Sequence, residues 1–213
     1  KLSKINISDV EFFAHGGTTV INAITERKGV KTALITTLGF RDVLEIMRGN
    51  RPDMYNLKAK KPEPFVSRKL RFEVNERISA EGKKIVPLNL ESLDDIIKEC
   101  KSNKVEAIAI QFMHSYLFTE NEKECAKYIQ QKFPEVSITL SSDITREWRE
   151  FERANTAVLN AYVQPIVSKY FENLEKKLND IGLNCAFTAM QSNGGTTSFN
   201  WAKEHPITLV ESG

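Results

Sequence analysis

Residues 105–112 read Val-Glu-Ala-Ile-Ala-Ile-Gln-Phe, a nearly unbroken apolar run with a helical pattern on either side of it. A strand that is apolar on both faces must be covered on both faces, which is the condition of a strand inside a parallel sheet. Before it, Leu93, Ile96, Ile97 and Cys100 recur at helical spacing within 90–101. After it, Thr119-Glu120-Asn121-Glu122 can open a second helix, with a threonine N-cap and acids in the first turn, running to Phe133 and into a strand over 136–140. Helices alternating with buried strands predict an α/β fold built on a parallel sheet.

The same alternation marks the start of the chain. Val10 to Ala14 is a short apolar run, His15-Gly16-Gly17-Thr18-Thr19 a tight turn, and Val20, Ile21, Ala23 and Ile24 give helical spacing up to Lys28. Gly29 is placed as a helix C-cap, Lys31 to Thr37 reads as a β-branched strand, and Phe40 to Met47 as a second helix. From Arg48 to Val66 the composition turns to Asn, Lys and the prolines Pro52, Pro62 and Pro64, which disfavour helix and central strand. Residues 69–74 alternate as a half-buried strand, and Glu81-Gly82 separates Arg77-Ile78 from Lys84-Ile85-Val86 as in a hairpin. The longest helical pattern starts near Thr145, passes Pro165, which is expected to kink or divide it, and ends at Gly182. Residues 185–190 form a last strand ahead of the loop Gln191-Ser192-Asn193-Gly194-Gly195. The expected division is 1–50 as a first α/β part, 51–66 as a linker, 67–143 as an inserted α/β unit, and 144–213 as the long helix with a return to the first part.

Thirty Lys and Arg against 28 Asp and Glu give a formal charge of +2, which offers no broad basic surface for nucleic acid or anionic lipid. No apolar run approaches the roughly 18 residues of a membrane helix. The three cysteines, Cys100, Cys125 and Cys185, are odd in number and widely spaced, so neither a disulfide framework nor a CxxC metal pair is expected, and a reducing cytoplasm fits. The first residue is Lys1, so an internal fragment of a longer protein is the expectation.

Two loops carry the candidate chemistry. In His15-Gly16-Gly17-Thr18-Thr19-Val20-Ile21-Asn22, glycines between a strand and a helix leave main-chain N–H groups and threonine hydroxyls to face an anion or a carbonyl oxygen; the plainer alternative is that Thr18 or Thr19 only caps the helix. Gln191 to Gly195 sets amide, hydroxyl and two glycines after a strand, a composition suited to a polar ring or a ribose, and its alternative is an ordinary hairpin turn. His114 follows the buried strand 105–112, where α/β sheets place chemistry, although it can also merely pack. The run Arg146 to Arg153 carries both charges at helical spacing and reads first as an ion-paired face; if part of it turns to a cleft, Arg153 with Asn155 and Asn160 could hold a carboxylate or phosphate. His15, His114 and His205 lack metal-ligand spacing, so no metal site is expected.

Taken together, these segments resemble the N-terminal half of the hydantoinase A/5-oxoprolinase family, which includes N-methylhydantoinase A and subunits of acetone and acetophenone carboxylases. The resemblance runs nearly end to end. It is carried by the His-Gly-Thr-Thr-like turn with Asn22-Ala23, by Leu34-Ile35-Thr36-Thr37-Leu38-Gly39-Phe40-Arg41-Asp42-Val43-Leu44-Glu45-Ile46, by Arg51-Pro52-Asp53, by Phe112-Met113-His114-Ser115-Tyr116, by Asn160-Ala161-Tyr162-Val163-Gln164-Pro165, and by Met190-Gln191-Ser192-Asn193-Gly194-Gly195. One departure is Gly17, which stands where the family turn has its first threonine, so that Thr18-Thr19 come one position late. The family's Gly-Gly-Thr-Phe-Thr-Asp and Asp-x-Gly-Gly-Thr phosphate hairpins do not occur in this sequence.

The resemblance implies an incomplete actin-like ATPase (ribonuclease H-like) subdomain with an inserted α/β unit. It further implies a parent protein that uses ATP and Mg²⁺ to open a hydantoin or lactam ring by phosphorylating the amide oxygen, with neither bound strongly by this segment alone. His15 and His114 are the expected catalytic residues. Thr18, Thr19, Asn22, Arg153, Asn160, Gln191, Ser192, Asn193, Gly194 and Gly195 are the expected substrate- or nucleotide-binding ones. Two other readings stay open: a subunit of an ATP-dependent ketone carboxylase, and a non-catalytic binding or assembly module. Relatives commonly act with a second, hydantoinase B-like subunit, so a protein partner or an oligomer is compatible.

Overall fold

A computed structural model of the chain describes residues 6–49 and 53–213. The Arg51-Pro52 part of one family segment, and with it the first residues of the expected linker, lies outside the described residues. The chain forms two compact units. One is contiguous, Val30–Tyr162; the other joins Lys1–Gly29 to Val163–Gly213.

In chain order the elements are β1 (Phe12–His15), α1 (Thr19–Thr25), β2 (Thr32–Thr37), α2 (Val43–Ile46), β3 (Arg71–Val74), β4 (Arg77–Ile78), β5 (Lys84–Val86), α3 (Leu93–Ser102), β6 (Ala107–Gln111), α4 (Glu120–Lys132), β7 (Ser137–Leu140), α5 (Ser141–Ile144), α6 (Glu150–Asp180), β8 (Ala186–Met190), β9 (Thr196–Ser198) and α7 (Phe199–Glu204). The contiguous unit holds a four-stranded sheet in the order β3-β2-β6-β7, and every pairing in it is parallel. Each residue of β2 and of β6 is buried, as the unbroken apolar runs require. Parallel neighbours need crossover connections, and α3 and α4 are of that kind: Leu93, Ile96, Ile97 and Cys100 of α3, and Cys125 and Ile129 of α4, join Ile108 and Ile110 in one hydrophobic cluster. Each fully buried Ile or Leu contributes about 1.5–3 kcal/mol by leaving water. The polar residues inside the sheet are satisfied locally; Thr36 Oγ1, for instance, donates to Gln111 Oε1 at 3.1 Å.

The hairpin expected around Glu81-Gly82 is present. β4 and β5 pair antiparallel, Ser79 N–H donates to the Lys83 carbonyl at 2.8 Å, and Gly82 takes the left-handed φ of 83° that closes the turn. The long helical pattern is realised differently from the expectation. Residues 145–149 are not helical, and α6 runs unbroken from Glu150 through Pro165 to Asp180, so the proline does not divide it. Gly182 follows at φ 81°, with Leu183 N–H returning to the Leu178 carbonyl, which closes the helix end.

The compact units divide after Gly29 and after Tyr162, not at 50/51, 66/67 and 143/144 as composition had placed the boundaries. The physical reason is β2. It hydrogen-bonds to β3 on one side and β6 on the other, so the strand read as part of the opening segment belongs to the sheet of the segment that follows.

Candidate functional site

In the discontinuous unit, β1 and β8 lie side by side and parallel, Phe12 opposite Ala186 and His15 opposite Ala189. Parallel strands end at the same edge of their sheet. The two polar loops found in the sequence, which follow His15 and Met190, therefore leave that edge next to each other, the position where open α/β sheets bind ligands.

The first loop is held at very close range. A Cβ on Gly16 would stand 2.6 Å from the Ser212 carbonyl oxygen and 3.2 Å from Met190 Sδ, so only glycine fits there. Ser212 Oγ donates to the Gly17 carbonyl at 3.2 Å. Thr18 occupies the N-cap position of α1 without a side-chain cap bond; its hydroxyl oxygen instead accepts from Asn22 Nδ2 at 3.2 Å. Thr18 and Asn22 are exposed, and Thr19 is half-buried.

The second loop closes the antiparallel β8–β9 hairpin, which matches the plainer of its two readings. Gln191 N–H donates to the Gly195 carbonyl at 2.8 Å, Gly194 N–H to the Gln191 carbonyl at 3.0 Å, and Gly195 N–H to Asn193 Oδ1 at 2.9 Å. Gly194 adopts φ 83°. Ser192 Oγ donates to the Thr208 carbonyl at 2.9 Å and accepts from Glu211 N–H at 3.0 Å, which fastens the hairpin to the residues after α7. Ser192, Asn193, Gly194 and Gly195 stay exposed. Between the loops is a pocket of about 380 Å³ lined by Gly16, Gln191, Ser192 and Glu211 among others.

His15 sits at the end of β1 in an aromatic setting. Phe13 is stacked parallel to it with centroids 6.5 Å apart, Phe171 meets it edge-on at 6.1 Å, and the Tyr170 hydroxyl lies 2.7 Å from Nε2. Burial holds its pKa below the usual histidine value, so the ring is neutral at pH 7. A cleft of about 20 Å³, room for one water, separates His15, Gly17 and Tyr170 from Met190 and Ser212.

The remaining predicted residues belong to the contiguous unit. His114, just past β6, has a left-handed φ of 59°, and its Nδ1 lies 2.8 Å from the Ile78 carbonyl oxygen. Arg153 is fully buried, and its guanidinium is used on main-chain carbonyls: Nη1 donates to Glu147 at 2.6 Å and Trp148 at 3.1 Å, Nη2 to Phe112 at 3.0 Å. Asn160 is also buried and donates to Thr139 Oγ1 at 3.2 Å. The charged run before Arg153 thus supplies two of the carbonyls that receive its guanidinium. Tyr170, Ser212 and Glu211 were not singled out from the sequence; a tyrosine inside the apolar stripe Val163, Val167, Phe171 was the available signal for the first.

Among the described residues, no group of three or more His, Cys, Asp or Glu side chains could hold a metal ion, and no helix is long and apolar enough to cross a membrane. The model of the hydantoinase/oxoprolinase N-terminal region matches residues 1–133, and the hydantoinase/oxoprolinase model matches residues 153–213. The chain belongs to the hydantoinase/oxoprolinase family. It is 39% identical to an uncharacterized protein of Methanocaldococcus jannaschii, 29% to the caprolactamase alpha subunit of Pseudomonas jessenii, and 31% to 5-oxoprolinase 1 of Arabidopsis thaliana. These matches cover 99%, 97% and 92% of this chain but only 32%, 30% and 17% of the relatives, so the chain spans a third or less of their length. In structure it is similar to the ATP-dependent caprolactamase of Pseudomonas jessenii, with a TM-score of 0.90 at 28% identity over 97% of this chain and 30% of that one. It is also similar to nucleotide-free acetone carboxylase, with a TM-score of 0.83 at 25% identity over 93% of this chain and 29% of that one. Both likenesses fit the mixed α/β fold with parallel strands described above.

The pocket between the loops has no Lys or Arg among its lining residues, and its one charged side chain, Glu211, is acidic.

Proposed function

We propose that this chain is the ring-holding segment of an ATP-dependent enzyme that opens a cyclic amide, a lactam or hydantoin, by activating its carbonyl oxygen through phosphorylation. On this reading it is an incomplete actin-like subdomain with an inserted α/β unit. The observation that carries the reading is the adjacency of the two polar loops at one edge of the β1–β8 pair. The relatives named caprolactamase and 5-oxoprolinase support the choice of a cyclic amide.

A lactam presents one acceptor oxygen and one N–H donor on a flat, weakly reactive group. The loops offer matching chemistry: the Asn22 and Thr18 side chains and main-chain N–H groups on one side, the Gln191, Ser192 and Asn193 side chains on the other, with His15 and Thr19 between strand and helix. Holding the ring in one orientation contributes to rate by removing the search for a reactive geometry. His114, strained at the end of β6, is the second histidine assigned to the reaction. The groups that hold ATP and Mg²⁺ belong, on this reading, to parts of the parent protein outside this segment, and a second subunit is compatible with relatives named as subunits.

A second reading, a subunit of a ketone carboxylase, is favoured by the likeness to acetone carboxylase. A ketone has the acceptor oxygen without the N–H. The test is ADP release by the longer protein containing this chain, with Mg-ATP and a panel of caprolactam, hydantoins, 5-oxoproline and ketones. Release stimulated by a cyclic amide and lost in His15→Ala and Asn193→Ala is expected. Stimulation only by ketones would select the second reading, and stimulation by neither would leave a binding or assembly module.

A further inference from the structure

The imidazole of His15 has one hydrogen-bond partner among the described residues, the phenol of Tyr170 at 2.7 Å from Nε2. Tyr170 comes from α6, where Val163, Val167 and Phe171 supply the buried stripe of this unit, and its ring lies 5.5 Å from Phe171 and 5.6 Å from His15. With Phe13 stacked on one face and Phe171 edge-on, the ring of His15 is held in place by aromatic contacts, while Tyr170 decides what its nitrogens do.

The polarity of that bond follows from acidity. A phenol is a stronger acid than a neutral imidazole N–H, and an imidazole nitrogen is a stronger base than a phenol oxygen, so the favourable arrangement has the phenol donating. In a neutral imidazole, the nitrogen that accepts cannot carry the proton. Among the described residues no carboxylate joins the pair to hold the ring cationic, and the burial described above acts the same way.

We propose that Tyr170 is a positioning residue that donates its hydroxyl hydrogen bond to His15 Nε2 and fixes the Nδ1–H tautomer. His15 then serves as a neutral hydrogen-bond donor to a ligand's carbonyl oxygen and not as a general base. Nδ1 has no partner among the described residues, so its N–H is left for a ligand. The assignment rests on the carbonyl-binding reading of the two loops. It also narrows it: a neutral N–H donor polarises an amide or ketone oxygen without being titrated away near neutral pH.

The deciding measurement is ¹⁵N NMR of the histidine rings of this chain at pH 7, wild type and Tyr170→Phe. The expected result is a pyrrole-type Nδ1 and a pyridine-type Nε2 for His15 in the wild type, moving toward the Nε2–H form that free histidine prefers when the phenol is removed. A pyrrole-type Nε2 in the wild type overturns the proposal, as does a tautomer unchanged in Tyr170→Phe. The wild-type spectrum decides the first point even if the variant folds poorly. In the longer protein, with the cyclic amide and ketone panel, Tyr170→Phe is expected to lower kcat about five- to tenfold, the effect of one neutral hydrogen bond. His15→Asn, whose amide N–H falls near the place of Nδ1, should retain more activity than His15→Gln, whose amide falls near Nε2; the reverse order overturns the proposal. The expected tautomer without turnover of any panel compound leaves the Tyr170 assignment standing and overturns the functional reading instead.

Discussion

Glu122 and Phe112, ten residues apart in sequence, meet at the end of the central sheet: Glu122 Oε1 accepts the Phe112 N–H at 3.0 Å. The same carboxylate accepts the Ser142 N–H at 3.0 Å and the Ser141 hydroxyl at 2.6 Å, and it is fully buried. α4 thereby ties together the residues just past β6 and just past β7. A buried carboxylate is costly unless its lone pairs are used, and here three donors use them.

Glu122→Ala leaves the Phe112 and Ser142 N–H groups without that acceptor and the Ser141 hydroxyl with only Ser115 Oγ, 3.2 Å away, and the expected cost is about 3–5 kcal/mol in urea unfolding. Glu122→Gln keeps one acceptor oxygen and should cost about half as much. Equal effects of the two substitutions would show that the lost contact is packing and not hydrogen bonding.

Glu76 gives a pH signature. Its carboxyl accepts from Asn121 Nδ2 at 2.7 Å and from Thr37, yet burial dominates and pushes its pKa above the ordinary carboxylate value. In the window from the ordinary value of about 4.3 up to the raised one, the folded protein binds the proton better than the unfolded chain does. The contribution of Glu76 to stability is therefore present below that window and declines as pH rises through it. The destabilisation caused by Glu76→Gln, measured by chemical unfolding from pH 4 to pH 7, should shrink as pH increases. A cost that grows with pH would contradict the direction assigned here.

Arg153→Lys separates a structural arginine from a ligand-binding one. A lysine cannot reproduce the fork that reaches the carbonyls of Phe112, Glu147 and Trp148, so a loss of about 2–3 kcal/mol in stability is expected. In the longer protein the KM values for ATP and for the ring substrate should stay unchanged. A raised KM at unaltered stability would return Arg153 to the binding site.

Two glycine substitutions in the loops should differ in kind. At Gly194 a Cβ would meet nothing within 4 Å, so Gly194→Ala costs only the left-handed backbone, about 1–2 kcal/mol in stability. At Gly16 the added carbon would strike the Ser212 carbonyl, so Gly16→Ala must displace the loop, and a fall in turnover of about 10–100-fold is expected with a smaller effect on stability. Identical behaviour of the two variants would remove Gly16 from the site.

Most elements of the contiguous unit were legible because period and burial speak through local sequence. The all-buried β2 and β6, the Leu93 to Cys100 stripe of α3, and the Glu81-Gly82 turn are recoverable from windows of a few residues. The boundaries were not, because nothing local to Thr32–Thr37 says that its hydrogen bonds go to Arg71–Val74 and Ala107–Gln111. The burial of Arg153 was hidden for a related reason: a charged run looks solvated until the carbonyls that receive its guanidinium are known. The loop sequences of the candidate site were visible, whereas the phenol beside His15 lies 155 residues away and leaves no mark near it.

That separation has a consequence for how the protein is made. The strands that carry the two loops are joined only after the ribosome has delivered nearly the whole segment, whereas Val30–Tyr162 is a continuous stretch with its own core. Closing so long a loop is entropically costly and slow compared with local pairing. The contiguous unit is thus placed to fold before the discontinuous one, whose two-loop edge forms only when β8 docks beside a β1 that has waited for it.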